Sequence, residues 1–349
     1  MSRRKFLGLC AGVGAGALSA GSALATLKQD TLTVPNFHIL MITYRGETDV
    51  DIGFRAYLEE AGLSVRYTVH DVAQNLQKVD EILQELPALA PDLIYVWGTP
   101  LTLALVGPYD AKQPQYIRDI PVVFALVAAP LQARIVPSLQ GYAGNVTGAV
   151  HVVPVEVQLR VMHSYRPFQK LGVLYNAAEP NSQAIVASAQ AYCQSVGSEL
   201  VARTFAMDAQ GKPMEEGVEA LVQEIHDAGA QWLYLLPDTF LGQMYGRVSP
   251  KALSLKLPTF GAAELAVREG GALVGLVSRY YSVGQLAGMK AVQILKHAQQ
   301  PGRLPVETLK RFSLLINVRV ARQLQMYPPL DMLNYAEVIA VGESQGMTV

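Results

Sequence analysis

Apolar residues along this chain fall in short dense runs, set apart by polar stretches of helix length. The clearest run is Lys170-Leu-Gly-Val-Leu-Tyr-Asn176, bounded by Pro167 and by the turn Glu179-Pro-Asn-Ser182. It reads as a strand buried on both faces. The Ala-, Gln- and Val-rich stretch 183–196 that follows ends at Gly197 and predicts a helix with a glycine C-cap. The first half holds a copy: Phe37-His-Ile-Leu-Met-Ile-Thr-Tyr44, a polar loop Arg45–Val50, then a helix ending Tyr57-Leu-Glu-Glu-Ala-Gly62. Further on, Val79–Leu86 and Asp92–Pro100 mirror Val218–Ile225 and Gln231–Thr239, and Ile120-Pro-Val-Val-Phe124 mirrors Leu257-Pro-Thr-Phe260. The offset stays at roughly 130–140 residues, so the chain reads as two similarly built α/β lobes.

The first lobe is expected to alternate strands 37–44, 64–69, 92–97 and 121–126 with helices at about 50–61, 74–86 and 100–107. Asn145-Val-Thr-Gly148 breaks the pattern, and the apolar Ala149–Val153 is read as a first crossing. The second lobe is expected to carry strands 170–175, 199–205, 231–236 and 257–260, with Gly270–Val277 as its last. A long helix over Val283–Ala298, ended by Pro301-Gly302, has no counterpart in the first half and is expected to pack back there. Leu304–Glu307 and Phe312–Asn317 read as a third crossing, with a short helix at Val318–Gln325. The expected division is 36–148 plus about 278–310 for one lobe, and 149–277 plus about 311–349 for the other.

Composition changes this picture little. Half of the 349 residues are hydrophobic and 16% are charged, which supports large cores and argues against disorder. The formal charge is −1, and loss of Arg3, Arg4 and Lys5 with a leader would take it to −4. A mildly acidic chain without basic blocks is a poor nucleic-acid binder. The N-terminus adds more. Arg3-Arg4-Lys5 precedes a weakly hydrophobic Gly/Ala-rich run and an Ala23-Leu-Ala25 site, the pattern of a secretory signal over 1–25 using the twin-arginine route. Periplasmic residence is therefore expected. Leu9 before Cys10 is the wrong residue for lipidation, and Cys193 would be the single cysteine of the mature chain, which rules out an intrachain disulfide.

Taken together, Asn145-Val-Thr-Gly148, Gly172-Val-Leu-Tyr-Asn176 with Glu179-Pro-Asn-Ser182, Gly270-Gly-Ala-Leu273, Tyr280-Tyr281 with Gly284 and Gly288, Leu304-Pro-Val-Glu307, and Ile316-Asn317 with Ala321 carry a resemblance. The chain resembles the ABC-transporter substrate-binding family that includes tryptophan- and tyrosine-type binding proteins, over essentially its whole mature length. The resemblance implies a type I periplasmic-binding-protein fold: two Rossmann-like lobes with parallel sheets, a three-crossing hinge, and a ligand in a Venus-flytrap cleft. At two positions the chain departs from the family pattern, with Ala129-Pro130 where an Asp-Pro pair is usual and Arg279 where an acid precedes the two tyrosines.

Ligands in such sheets meet strand C-termini and helix N-termini. That selects Tyr44, Thr99, Thr102 and Phe124 in the first lobe, and Tyr175, Asn181, Ser182, Asp238, Thr239, Glu264 and Tyr280 in the second part of the chain. Asp238 stands out, since an ammonium group needs such an acceptor. Thr99, Thr102, Asn181 and Ser182 also suit helix capping alone. The chain has no Gly-x-Ser-x-Gly, His-Glu-x-x-His or Gly-x-x-x-x-Gly-Lys motif, and its six histidines lack metal-ligand spacing. No catalytic residue, metal or cofactor is expected. The function expected is capture of a small amino-acid-like or related organic molecule, an aromatic amino acid among the candidates, by a monomer that serves an ABC permease. The alternative is a ligand sensor signalling to a membrane receptor.

Overall fold

The structure, a computed structural model, describes residues 36–340. The signal read over 1–25, with Cys10, lies outside the described residues, as do residues 341–349. Among the described residues no helix is long and apolar enough to cross a membrane. In chain order come β1 (Phe37–Thr43), α1 (Asp49–Glu60), β2 (Val65–Asp71), α2 (Val79–Leu89), β3 (Leu93–Trp97), α3 (Thr99–Val106), β4 (Val122–Val127) and β5 (Val146–Val150). Then follow α4 (Val155–Tyr165), β6 (Lys170–Tyr175), α5 (Pro180–Ser195), β7 (Glu199–Thr204), α6 (Val218–Asp227), β8 (Trp232–Leu235), α7 (Thr239–Ser254), β9 (Thr259–Gly261), α8 (Glu264–Arg268) and β10 (Val274–Val277). The chain closes with α9 (Tyr280–Leu295), β11 (Glu307–Thr308), β12 (Ser313–Asn317), α10 (Val318–Leu324), α11 (Leu330–Leu333) and β13 (Ala336–Ile339).

Two sheets result. The first runs β11-β5-β4-β3-β1-β2 and is parallel throughout; the second runs β13-β12-β10-β9-β8-β6-β7 and is parallel except between β10 and β12. The internal repeat is visible as topology. Strands β2-β1-β3-β4-β5 and β7-β6-β8-β9-β10 stand in the same doubly-wound order. Both sheets are buried on both faces. In β1, Leu40 and Ile42 join one core cluster while Ile39 and Met41 join the other, as a period of two requires. The second sheet is covered in the same way by two clusters. The chain passes between the sheets at 151–154, 278–279 and 309–312.

Helix α9 does return to the first sheet, where it packs on α1 with backbone against backbone. A Cβ added at Gly284 would stand 2.0 Å from the Val50 carbonyl oxygen, and one at Gly53 would stand 2.0 Å from that of Tyr281. Three details differ from the sequence reading. Ala73 and Gln74 have positive φ, and Asn75 caps a short 3-10 turn, so α2 begins at Val79 and runs past Pro87. The stretch read as a first crossing supplies the end of β5, and the crossing starts at His151. Ala336–Ile339 adds an edge strand beside β12.

Candidate functional site

In a doubly-wound sheet the strand order reverses at one point, and loops leaving the strand ends there diverge to leave a crevice. The reversals lie between β1 and β3 in the first sheet and between β6 and β8 in the second. Each side of the site is built at one of them.

At the second reversal, Asp238 follows β8 and caps α7. Its Oδ1 accepts from the Leu241 amide at 2.8 Å. Its Oδ2 accepts from the Asn176 amide beyond β6 and from Ser182 Oγ, both at 2.7 Å. The carboxylate therefore ties two strand ends and two helix starts together. Glu179 lies beside it, accepting from the Thr239 amide at 3.1 Å and from Asn181 Nδ2 at 3.2 Å. Asp238 is 5% exposed and Glu179 is 9% exposed. Burial, and then the Asp238 charge, push the Glu179 carboxyl up to about 7; burial raises Asp238 as well. Asn181 Nδ2 faces three acceptors, Glu179 Oε2, Ser182 Oγ and the Pro237 carbonyl. That contact set fixes the amide orientation. Its Oδ1 is left buried without a partner.

At the first reversal, Tyr44 and Arg45 leave β1, and Gly98 (φ +79) turns the chain from β3 into α3. Tyr44 stacks on Trp97 with centroids 5.7 Å apart and planes 13° from parallel. Its hydroxyl accepts from Gln243 Nε2 at 3.5 Å, so the two sides of the site touch. Arg45 Nε is buried without a hydrogen-bond partner, and Arg45 forms no ion pair among the described residues. Its Nη2 would lie 3.6 Å from a Cβ at Gly242, so the guanidinium reaches the first turns of α7.

Between these walls is a cavity of about 60 Å³. Arg45, Trp97 and Thr99 line one side; Asn181, Asp238 and Thr239 line the other; His151 and Tyr280 close it where the chain crosses between sheets. Leu126 also faces it. That residue sits at φ +59 at a register shift between β4 and β5, an uncommon conformation for leucine, of the kind that clusters at ligand clamps. A larger groove of about 720 Å³ opens between the loop after β4 and α5, lined by residues such as Ala128, Pro130, Val153, Ala184 and Tyr192. None of the unpartnered buried atoms of Arg45, His151 and Asn181 belongs to a residue lining that groove.

Of the residues selected from sequence, Thr99, Asn181, Asp238, Thr239 and Tyr280 line the cavity. Tyr44 stands behind Trp97, and Ser182 behind Asp238. Glu264 lies beneath Tyr280: it accepts from the Tyr280 amide and pairs with Arg268 and Arg279. Thr102 does not reach the cavity, because its hydroxyl bonds back to the Gly98 carbonyl. Phe124 is fully buried in β4 and presses on Gly148, while Tyr175 packs on the cluster beneath α4 and α5. Sequence reasoning missed Arg45, Leu126, His151 and Glu179. Arg45 carried a usable signal as the first charged residue past a buried strand, and the other three did not.

The comparisons with known proteins agree with this architecture. A profile of the family described as ABC transporter substrate binding protein matches residues 45–339. A tyrosine-binding protein of Clostridioides difficile is 26% identical over 279 residues, covering 78% of this chain and 76% of that protein. A conserved domain protein of Vibrio cholerae superposes with a TM-score of 0.75 at 24% identity, covering 86% of this chain and 99% of that one. A Streptococcus pneumoniae ABC domain crystallised with L-Trp gives 0.72 at 24% identity, covering 86% and 100%. With its fold, its repeated topology and nearly all its described residues accounted for in this way, the chain belongs to the ABC transporter substrate-binding protein family.

Proposed function

We propose that the protein is an exported solute-binding protein that holds an α-amino acid, or a close zwitterionic relative, and delivers it to an ABC importer. One observation carries the reading. Arg45, with its Nε unpartnered, and Asn181, with its Oδ1 unpartnered, line the same cavity, and the Asn181 amide is held by Glu179 beside Asp238. A buried N–H without an acceptor calls for a carboxylate, and a buried carbonyl backed by negative charge calls for an ammonium. One ligand bearing both groups satisfies both walls. Trp97 on the cavity wall, stacked on Tyr44, favours an aromatic or otherwise flat side chain. The names of the tyrosine-binding relative and of the L-Trp complex point the same way.

Such a ligand bridges the two lobes, so binding favours the closed form that a permease recognises. Periplasmic residence rests on the twin-arginine leader, with the protein acting as a monomer beside a membrane permease. The test is mass spectrometry of small molecules released by denaturing freshly purified protein, followed by calorimetric titration with the amino acid found. A stoichiometric amino acid that rebinds supports the reading. A sugar or a simple anion in its place overturns it.

A further inference from the structure

The Trp97 ring lines the cavity, yet its one polar atom is engaged outside it. The indole Nε1–H donates to Thr48 Oγ1 at 3.3 Å, and Thr48, half-buried in the loop between β1 and α1, does not line the cavity. Thr48 is held in turn. Its amide and its hydroxyl both donate to Oδ2 of Asp51, at 2.7 and 2.8 Å, and Asp51 is 1% exposed in the first turn of α1. Chemistry fixes the direction of each bond. An indole nitrogen only donates, so Thr48 accepts from it, and the single hydroxyl proton is left for the carboxylate. Bonds in such a row polarise one another in a low-dielectric setting.

The ring is also set from its face, by Tyr44 at 5.7 Å with planes 13° from parallel. Stacking alone lets an indole turn in its own plane and slide over its neighbour. A hydrogen bond at the ring edge removes that freedom. A side chain ordered before the ligand arrives avoids an ordering cost on binding.

Resting on the reading of this cavity as an amino-acid site, we infer that Thr48 is a positioning residue. Its hydroxyl, oriented by Asp51, fixes the Trp97 ring in its binding orientation before a ligand enters. Thr48 acts through Trp97 and touches no ligand itself.

One measurement needs no variant. In the empty wild type, the Trp97 indole proton should exchange with solvent at least about tenfold more slowly than that of free indole. Exchange at the free-indole rate overturns the inference, whether or not any variant folds. Trp232, the second of the two tryptophans, is fully buried, so acrylamide quenching of the empty protein reads Trp97. Thr48→Val should raise that quenching, and Thr48→Ser, which keeps the hydroxyl, should not. Equal quenching in wild type and Thr48→Val overturns the inference.

Calorimetry with L-tyrosine reads the consequence for binding. Thr48→Val should weaken binding by roughly two- to tenfold, the effect of ordering one side chain on binding, and Thr48→Ser should retain most of the affinity. In a Trp97→Phe background, where no indole N–H remains, Thr48→Val should add no further loss. The same loss in both backgrounds marks a packing or capping role and overturns the inference. If L-tyrosine does not bind wild type, the functional reading loses its aromatic ligand, while exchange and quenching, both measured without ligand, still decide the role of Thr48.

Discussion

The Asp238 carboxylate accepts the Asn176 amide at 2.7 Å, joining the end of β8 to the end of β6 where the second sheet reverses its order. The acid that stands out in the sequence as a ligand partner is thus also the fastening of its own wall. All its assigned partners are donors, so replacement by asparagine sets an amide N–H against one of them.

Asp238→Asn should therefore lower the stability of the empty protein by about 1–3 kcal/mol, the cost of a buried donor left unsatisfied. Urea unfolding measures this. An unchanged midpoint would reduce Asp238 to a simple helix cap, a role asparagine fills equally well.

Glu179 gives a pH dependence whose sign can be worked out. Its carboxyl rises from an ordinary 4.5 to about 7 in the fold, so the folded state holds its proton longer than the unfolded state does. The stabilisation is fully present below about pH 4.5 and is lost as pH rises through 7. Empty protein should lose on the order of 1 kcal/mol between pH 6 and pH 8 from this group. A ligand ammonium favours the ionised acid, so binding should release a proton and tighten over the same window. Calorimetry in buffers of different ionisation enthalpy reads the proton, and Glu179→Gln should flatten both trends.

Arg45→Ala should weaken binding of the amino-acid ligand by roughly 30-fold or more, as removal of one partner of a desolvated charge pair does. Stability should shift by less than about 1 kcal/mol, because Arg45 forms no ion pair among the described residues. Arg45→Lys should fall between, since it keeps the charge and loses the planar fork. Equal affinities for wild type and Arg45→Ala would remove the guanidinium from the site.

Gly284→Ala should destabilise by about 1–3 kcal/mol, because the added methyl meets the Val50 carbonyl oxygen and forces α1 and α9 apart. Gly246, on α7, has open space around it. Gly246→Ala should instead gain roughly 0.5–1 kcal/mol from helix propensity alone. Opposite signs in parallel melts would confirm the packing argument, and the same sign for both would refute it.

Much of the fold was legible because buried parallel strands leave dense apolar runs, and the repeat made each run corroborate another. Strand ends also pointed to the candidate cavity, whose lining includes Thr99, Asp238 and Thr239. What stayed hidden depends on side-chain direction. Thr102 and Thr99 look alike in sequence, yet one bonds back into its helix and the other accepts from the Ala128 amide while lining the cavity. His151 lies within an apolar run that betrays no chemistry. Glu179 looked like part of a turn, and what raises its carboxyl, burial first and then the charge of Asp238 from 59 positions further along, arises only in the folded chain.

The placement of α9 and β11 has a consequence for how the molecule comes off the ribosome. The strands from β1 to β5 emerge first, yet the glycine-faced groove of α1 stays empty until Tyr280–Leu295 is made, and the β5 edge stays bare until Glu307–Thr308 arrives. The second sheet in turn waits for β12 and β13. Neither sheet is a contiguous stretch of the gene, so a stop codon anywhere before residue 280 truncates both at once. Completion of the two sheets is deferred until α9, β11, β12 and β13, all beyond residue 279, have been made and can close on the earlier strands.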